Sequence, residues 1–247
     1  REGDTLEQER GCTRFRALDR ETFDLARRLT KPFKAGGEDE IQGAVWIYSD
    51  VAGDALFLVA SEVWGRETWP ADLATVLHVM IFKNKGSIHD HANYRPIGLL
   101  NVAAKIITMC ILLHMREDIE NFLPEWQFGF RQGRGTGQAI AIWQWMKEVL
   151  TGEGRKGLAV LLDFEDAFTS ISHKYLFFAM QNAGIAPKLV RLTKALYRVA
   201  QGKVKTRGLD GEQLLSGPYG LKNGVIQGNG PSPQEFLVGM HMMMLEI

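Results

Sequence analysis

Covalent staples are nearly absent from this sequence. Its 247 residues include two cysteines, Cys12 and Cys110, too few and too far apart for a disulfide framework or a zinc knuckle. A reducing, intracellular setting fits, and both thiols read as packing residues. An excess of one charge is missing too. Lys plus Arg and Asp plus Glu each total 29, so the formal net charge is zero and a uniformly basic nucleic-acid binder is excluded. Any such site has to be a local patch. The longest apolar stretch, Leu99 to Met115, is cut by Asn101, Lys105 and His114 and is short for a membrane span. No membrane partner is expected. The opening REGDTLEQERGC has no apolar core of the kind a signal peptide needs. The chain begins on Arg1 and stops within the apolar run FLVGMHMMMLEI, which reads as a fragment of a longer frame.

What is present divides into helices and a small sheet, an α+β pattern. A helix is expected around Leu18–Leu29 before Pro32, then a linker over Ala35–Gly43. Residues 51–65 form a second helix, with Ala55, Leu58, Val59 and Val63 on one face. Ala74–Phe82 is β-branched and apolar and reads as a strand, closed by KNKGSIHDH. Gly98–Glu120 reads as helix up to Leu123-Pro124, and Gln127–Gly137 as a glycine-rich loop before the aromatic helix Gln138–Leu150. LAVLLD, Leu158–Asp163, is apolar on both faces and predicts a central strand. Ser170 or Ser172 caps a helix running to Asn182, stopped by Gly184 and Pro187, and Pro187–Ala200 is helical. Lys203–Leu209 and Gln213–Leu221 flank Asp210-Gly211, a hairpin signal.

Four groups of residues invite a chemical reading. Asp163 at the end of LAVLLD is either a metal ligand or a turn aspartate, since a buried carboxylate needs a positive or donating partner. Glu165 and Asp166 beside it read as a solvated turn. GVIQGNGPSP, Gly224–Pro233, is a stiff loop where a flat ligand can approach backbone, yet it matches neither a dinucleotide nor a P-loop fingerprint. Lys83, Lys85 and Arg95 flank one strand and turn and suit a polyanion such as a triphosphate, whereas His89 and His91 lack a third ligand and face solvent. Finally, residues 187–207 hold Lys188, Arg191, Lys194, Arg198, Lys203, Lys205 and Arg207 with no acid. The first four share a helix face opposite Leu189, Leu192, Leu196 and Val199, the footprint expected for a phosphate backbone.

FKNKG, NYRPIGLLNVAAKI, QFGFRQGRGTGQAI, LLDFEDAFTSISH and NGVIQGNGPSPQEF follow one another between residue 69 and about residue 236. In that order they resemble the reverse transcriptase domain of non-LTR (LINE-like) retrotransposons. The resemblance implies a right-hand polymerase. Its parts would be an N-terminal helical extension (1–66), fingers (67–150) and a partial palm (151–247) ending before the YADD-type hairpin that carries further aspartates. It implies RNA-directed DNA synthesis, in which a primer 3′-hydroxyl attacks a dNTP on an RNA template.

The same resemblance assigns roles residue by residue. Asp163 becomes the first catalytic aspartate, holding two magnesium ions with the Phe164 carbonyl. Phe168 packs under the incoming sugar, Lys83 or Lys85 grips the triphosphate with Arg95, and Gln227 and Gly228 pack on the nascent base pair. Arg131 and Arg134 touch template, as does the basic face of Lys188, Arg191, Lys194 and Arg198. The sequence departs from the pattern at Thr169, at Ile226 and in the order of GNGPSP. Those departures, with one catalytic aspartate, lead to the expectation that this chain alone does not extend a primer. A nucleic-acid-binding remnant of the same fold is the alternative, and a two-carboxylate hydrolase built on Asp163 and Glu165 is a third. Asp163, Gln227 and Arg95 are expected to line one concave site.

Overall fold

The computed structural model describes residues 17–164, 166–207 and 212–246. Cys12, Glu165 and the Asp210-Gly211 turn lie outside them, as does the side chain of Arg207. Helix α1 (Arg20–Leu29) starts where the Asp19 carboxylate accepts the Thr22 N–H, and it buries Phe23 and Ala26. Arg27 on the same helix donates to the carbonyls of Trp46 and Ile47, which end the short helix α2 (Gly43–Tyr48). Helix α3 (Asp50–Arg66) follows at once, capped by Ser49.

The buried face of α3 is Gly53, Leu56, Ala60, Val63 and Trp64, which keeps only Val63 of the face expected. Ala55, Leu58 and Val59 are exposed. The heavier side chain decides this: Trp64 is fully buried, and the face that carries it turns inward in place of the aliphatic stripe.

Strand β1 (Thr75–Phe82) is the centre of the sheet. It pairs antiparallel with β2 (Tyr94–Leu100), Val76 opposite Leu100 and Phe82 opposite Tyr94. On its other side it pairs in parallel with β3 (Gln201–Arg207), Thr75 opposite Gln201. β3 in turn pairs antiparallel with β4 (Gln213–Leu215) and β5 (Tyr219–Gly220). The first four residues of β1 are buried, as a strand covered on both faces must be.

Two sequence readings change here. Gly98–Asn101 is not helical: Gly98–Leu100 completes β2, and α4 (Val102–Phe122) begins after Asn101. Pairing with β1 supplies backbone bonds that the apolar period alone does not reveal. The larger correction concerns LAVLLD. Residues 157–164 belong to no helix or strand, and Leu158, Leu161 and Leu162 are 92%, 96% and 77% exposed. Apolar composition makes a strand possible, but only a neighbour makes one, and among the described residues nothing pairs with this segment.

The long crossover from β1 and β2 to β3 runs through α4, α5 (Thr136–Gly152), α6 (Ala167–Ser170), α7 (His173–Asn182) and α8 (Pro187–Val199). The core lies there. Ile106, Ile107, Ile111, Met115 and Ile119 of α4 are buried against Leu189, Leu192 and Leu196 of α8 and against Leu176 and Met180 of α7. Ser172 caps α7 by accepting the Tyr175 N–H, and Gly184 ends it in the left-handed region at φ +77°. The apolar segment after Pro231, not foreseen as an element, is helix α9 (Ser232–Leu245), packed on α7. Buried side chains from Leu18 to Val238 form one continuous cluster. No described helix is long and apolar enough to cross a membrane.

Candidate functional site

A cavity of about 900 Å³ opens where the outer ends of β1 and β2 meet the 166–169 turn and the 227–233 loop. Four sequence-distant segments build it, and backbone bonding explains why they meet. The Gly224 N–H donates to the Ile171 carbonyl and the Val225 N–H to the Phe168 carbonyl, at 2.8 and 2.7 Å. His173 Nε2 lies 2.9 Å from the Gly224 carbonyl. The loop then crosses β2 so closely that only glycine fits on either side. A Cβ on Gly228, at φ +80°, would lie 1.9 Å from the Gly98 carbonyl oxygen, and one on Gly98 would lie 2.3 Å from that of Gln227.

Lys83, Arg95, Phe168, Gln227 and Gly228 all line this cavity. Lys83 donates to the Ala92 carbonyl at 3.1 Å, and Arg95 is exposed and makes no ion pair among the described residues. Phe168 packs between Phe130 and Phe236, ring centroids 6.0 and 5.0 Å away. Two cations therefore face one lining acid, Asp166, an imbalance that suits an anionic ligand. From the sequence alone Asp166 reads as a solvated turn residue. It sits at φ +48°, left-handed for a non-glycine residue, with Thr169 and Ser170 donating to its carbonyl. No local signal separates such an acid from its neighbours; its place in the cavity comes from the Phe168–Val225 pairing.

Asp163 does not join them. It is exposed, accepts among the described residues only the N–H of Phe164 next to it, at 3.0 Å, and is not one of the residues that line the cavity. The expected grouping of Asp163 with Gln227 and Arg95 therefore holds for the latter two alone, because the segment carrying Asp163 is not docked in the sheet. Phe164 lines a smaller apolar cavity of about 350 Å³ with Phe236, Met240 and Met243. Lys85 is exposed outside the main cavity. Among the described residues no three His, Cys, Asp or Glu side chains converge to hold a metal ion. His89 and His91 are exposed and line a second cavity of about 820 Å³ against Leu77, Val79 and Leu99.

The basic surface is smaller than its sequence. Arg131 is 8% exposed and gives Nε and Nη2 to Glu120 at 2.9 and 2.7 Å and Nη1 to the Pro124 carbonyl at 2.6 Å. That guanidinium staples the loop to α4. Arg134 pairs with Glu125 at 2.6 Å and holds its Glu125 carbonyl as well. Arg191 forks onto Glu67 at 2.6 and 2.8 Å, and its pull holds the Glu67 carboxyl below the usual range. Lys203 pairs with Glu38, and Lys205 with Glu40 at 3.4 Å. The stripe without an acid in its own sequence thus receives acids from the N-terminal helical region. Lys194 and Arg198 are exposed on α8 without an ion pair among the described residues, and Lys188 is half-buried within Coulombic reach of Glu67.

The thiol of Cys110 is buried and pushed up to about 12 by desolvation, so it stays protonated and packs as a small apolar group.

Comparison with known proteins then meets this geometry. The family model described as "Reverse transcriptase (RNA-dependent DNA polymerase)" matches residues 82–247. The chain is 27% identical over 192 residues to an RNA-directed DNA polymerase from mobile element jockey of Drosophila funebris, covering 76% of this chain and 21% of that protein. It is 25% identical over 182 residues to the transposon TX1 uncharacterized 149 kDa protein of Xenopus laevis, covering 72% of this chain and 13% of that one. The corresponding jockey polymerase of Drosophila melanogaster is 26% identical over 166 residues, 66% of this chain and 18% of its own length. The chain spans about a fifth or less of the length of these relatives.

Proposed function

The chain belongs to the reverse transcriptase family, as a domain of the non-LTR retrotransposon type, and from that premise we propose that its 900 Å³ cavity is the nucleotide site of an RNA-directed DNA polymerase. One observation carries the reading: Lys83 and Arg95, from the two strands of one hairpin at its loop end, face Phe168, Gln227 and Gly228 across a single cleft with a net positive lining. In this reading Lys83 and Arg95 take the triphosphate, and Phe168 lies under the sugar. Gln227 and Gly228 present a flat backbone surface to the base pair. The two cations act as preorganised charge against the departing pyrophosphate while the primer 3′-hydroxyl attacks. The hairpin side belongs to the fingers and the 166–245 side to a partial palm, with residues 1–66 as an extension. Lys188, Lys194 and Arg198 follow the RNA template and DNA primer. The work is done inside the cell.

Reverse transcriptases use divalent metal, magnesium in the proposed reading, and Asp163 with the Phe164 carbonyl would supply one position. Magnesium sheds water reluctantly, so a single exposed carboxylate holds it weakly. The 247-residue chain is accordingly proposed to bind nucleotide without extending a primer, and the remnant reading is favoured to that extent by the exposure of Asp163.

The test is a titration of the chain with labelled dATP, run beside Lys83→Ala and Arg95→Ala, with primer extension assayed on the same preparations. Each substitution should weaken binding about tenfold or more, the scale of one charge-assisted phosphate contact of roughly 1.5–3 kcal/mol. Equal affinity in all three proteins removes the nucleotide from this cavity. Primer extension lost on Asp163→Asn would show that the chain completes a metal site after all.

A further inference from the structure

Behind the wall formed by Ile226, Gln227 and Gly228 lies a polar pair that the proposed chemistry does not use. Glu235, in the first turn of α9, is 1% exposed. Its Oε2 accepts the hydroxyl of Tyr197 of α8 at 2.5 Å, and its Oε1 has no hydrogen-bond partner among the described residues. The Tyr197 oxygen in turn accepts the N–H of Ile226 at 3.3 Å. Ser232, at the start of the same helix, donates its hydroxyl to the Ile226 carbonyl at 2.7 Å. Ile226 is thus held at both its N–H and its carbonyl, once through a hydroxyl whose own proton rests on a buried carboxyl. The next residue, Gln227, faces the cavity.

We infer that Tyr197 and Glu235 are a positioning pair for the Ile226–Gly228 wall, holding it while the carboxyl keeps its proton and loosening it when the carboxyl ionises. The inference rests on the nucleotide reading only for its effect on dATP; the loosening of the loop is independent of it.

The surroundings fit a carboxyl whose charge is uncompensated. Desolvation pushes Glu235 up to about 7, and Tyr197 is the one group that opposes this. Other titratable groups on the packed elements are engaged elsewhere. His173 of α7 meets the Gly224 carbonyl through Nε2 and the Tyr197 ring edge-on at 4.8 Å, and burial lowers its own affinity for a proton. Lys174 is exposed, Lys105 of α4 faces Asp39, and His241 of α9 packs on Phe122 and Trp126. An ionised Glu235 therefore has one hydroxyl and no cation. The nearest route to water is for the 224–232 loop to lift from α8, breaking the Tyr197–Ile226 bond.

The experiment is deuterium exchange of the peptide spanning residues 224–236, corrected for intrinsic rate, at pH 6 and pH 8, with dATP binding measured under the same conditions. It compares the parent chain with Glu235→Gln, which keeps an acceptor for Tyr197 and cannot ionise, and with Tyr197→Phe. With the carboxyl at about 7, its protonated fraction falls from about nine-tenths to about one-tenth over that range, so protection and dATP affinity in the parent should each fall up to tenfold. Glu235→Gln should show neither fall, and Tyr197→Phe should expose the peptide at both pH values. The Gln variant retains His173, so any titration of that imidazole is common to both proteins and cancels. The same pH response in parent and Gln variant overturns the inference, as does a parent whose dATP affinity ignores pH. Loss of protection in the parent alone, with no dATP bound by any protein, would sustain the pair and overturn the nucleotide reading instead.

Discussion

Glu235 is 1% exposed, an unusual place for its type, since glutamate is almost never fully buried unless paired. Two effects compete at its position. The first turn of α9 favours an anion by roughly 0.3–1 kcal/mol. Burial without a cation costs more: a rise from the ordinary 4.5 to about 7 is about 2.5 pKa units, or roughly 3 kcal/mol at 1.36 kcal/mol per unit. Desolvation wins. The consequence for stability has a definite sign. Between 4.5 and about 7 the folded chain holds a proton that the unfolded chain has released, so the stability this group provides is full below 4.5 and is lost as pH rises through about 7. Glu235→Gln has no such loss. Urea melts should therefore show the variant gaining on the parent by about 2 kcal/mol between pH 5.5 and pH 8, from the same linkage. A constant difference across that range would mean the carboxyl titrates normally.

Among the elements, β2 and the 158–162 segment make the sharpest contrast. Both are apolar, and one is a strand only because β1 lies beside it. Leu100 on β2 is fully buried opposite Val76, whereas Leu161 is 96% exposed. Composition favours the 158–162 segment as the strand, but burial decides otherwise, because transfer free energy depends on the area removed from water. Leu100→Ala should cost roughly 2–5 kcal/mol, the range for a buried leucine. Leu161→Lys should stay within about 0.5 kcal/mol of the parent and lower light scattering, as expected when an exposed apolar stretch gains a charge. A loss at Leu161 as large as at Leu100 would show that the segment is paired in solution. Helix α3 teaches the same lesson on a smaller scale: its aliphatic stripe and its buried face differ because Trp64 outweighs Leu58 and Val59.

At the scale of the whole molecule, a zero net charge conceals segregation that the fold partly cancels. Seven cations between 187 and 207 come without a local acid, yet Glu67, Glu38 and Glu40 reach Arg191, Lys203 and Lys205 from the N-terminal region. Such exposed pairs add only about 0–1 kcal/mol of stability, but each removes a cation from the surface open to phosphate. Lys194 and Arg198 should therefore dominate nucleic-acid binding. On single-stranded RNA, replacing both by alanine should reduce the slope of log K against log salt by roughly 1.4, at 0.7 per phosphate contact, measured by fluorescence anisotropy. Arg191→Ala should change the slope by less than half as much, and an unchanged slope in the double variant would make the α8 face a merely solvated one.

The amino-acid sequence by itself determined what depends on a few neighbouring residues or on motif order. The family was legible from five stretches in a row, and the caps at Ser172 and Gly184 from side chains acting within one helical turn. The glycines facing the cavity were legible as a stiff loop, and Lys83 and Arg95 as neighbouring cations of one strand and turn. Only the tertiary structure decided the rest, because it depends on partners far away in the chain. Arg131 points at Glu120, Lys203 meets Glu38, and Asp166 lines the cleft while Asp163 does not. Glu235 falls into the core because α8 and the 224–232 loop close over it. Propensity and pattern act along the chain, whereas desolvation and charge pairing act through space, and the latter selected which of the legible residues face the site.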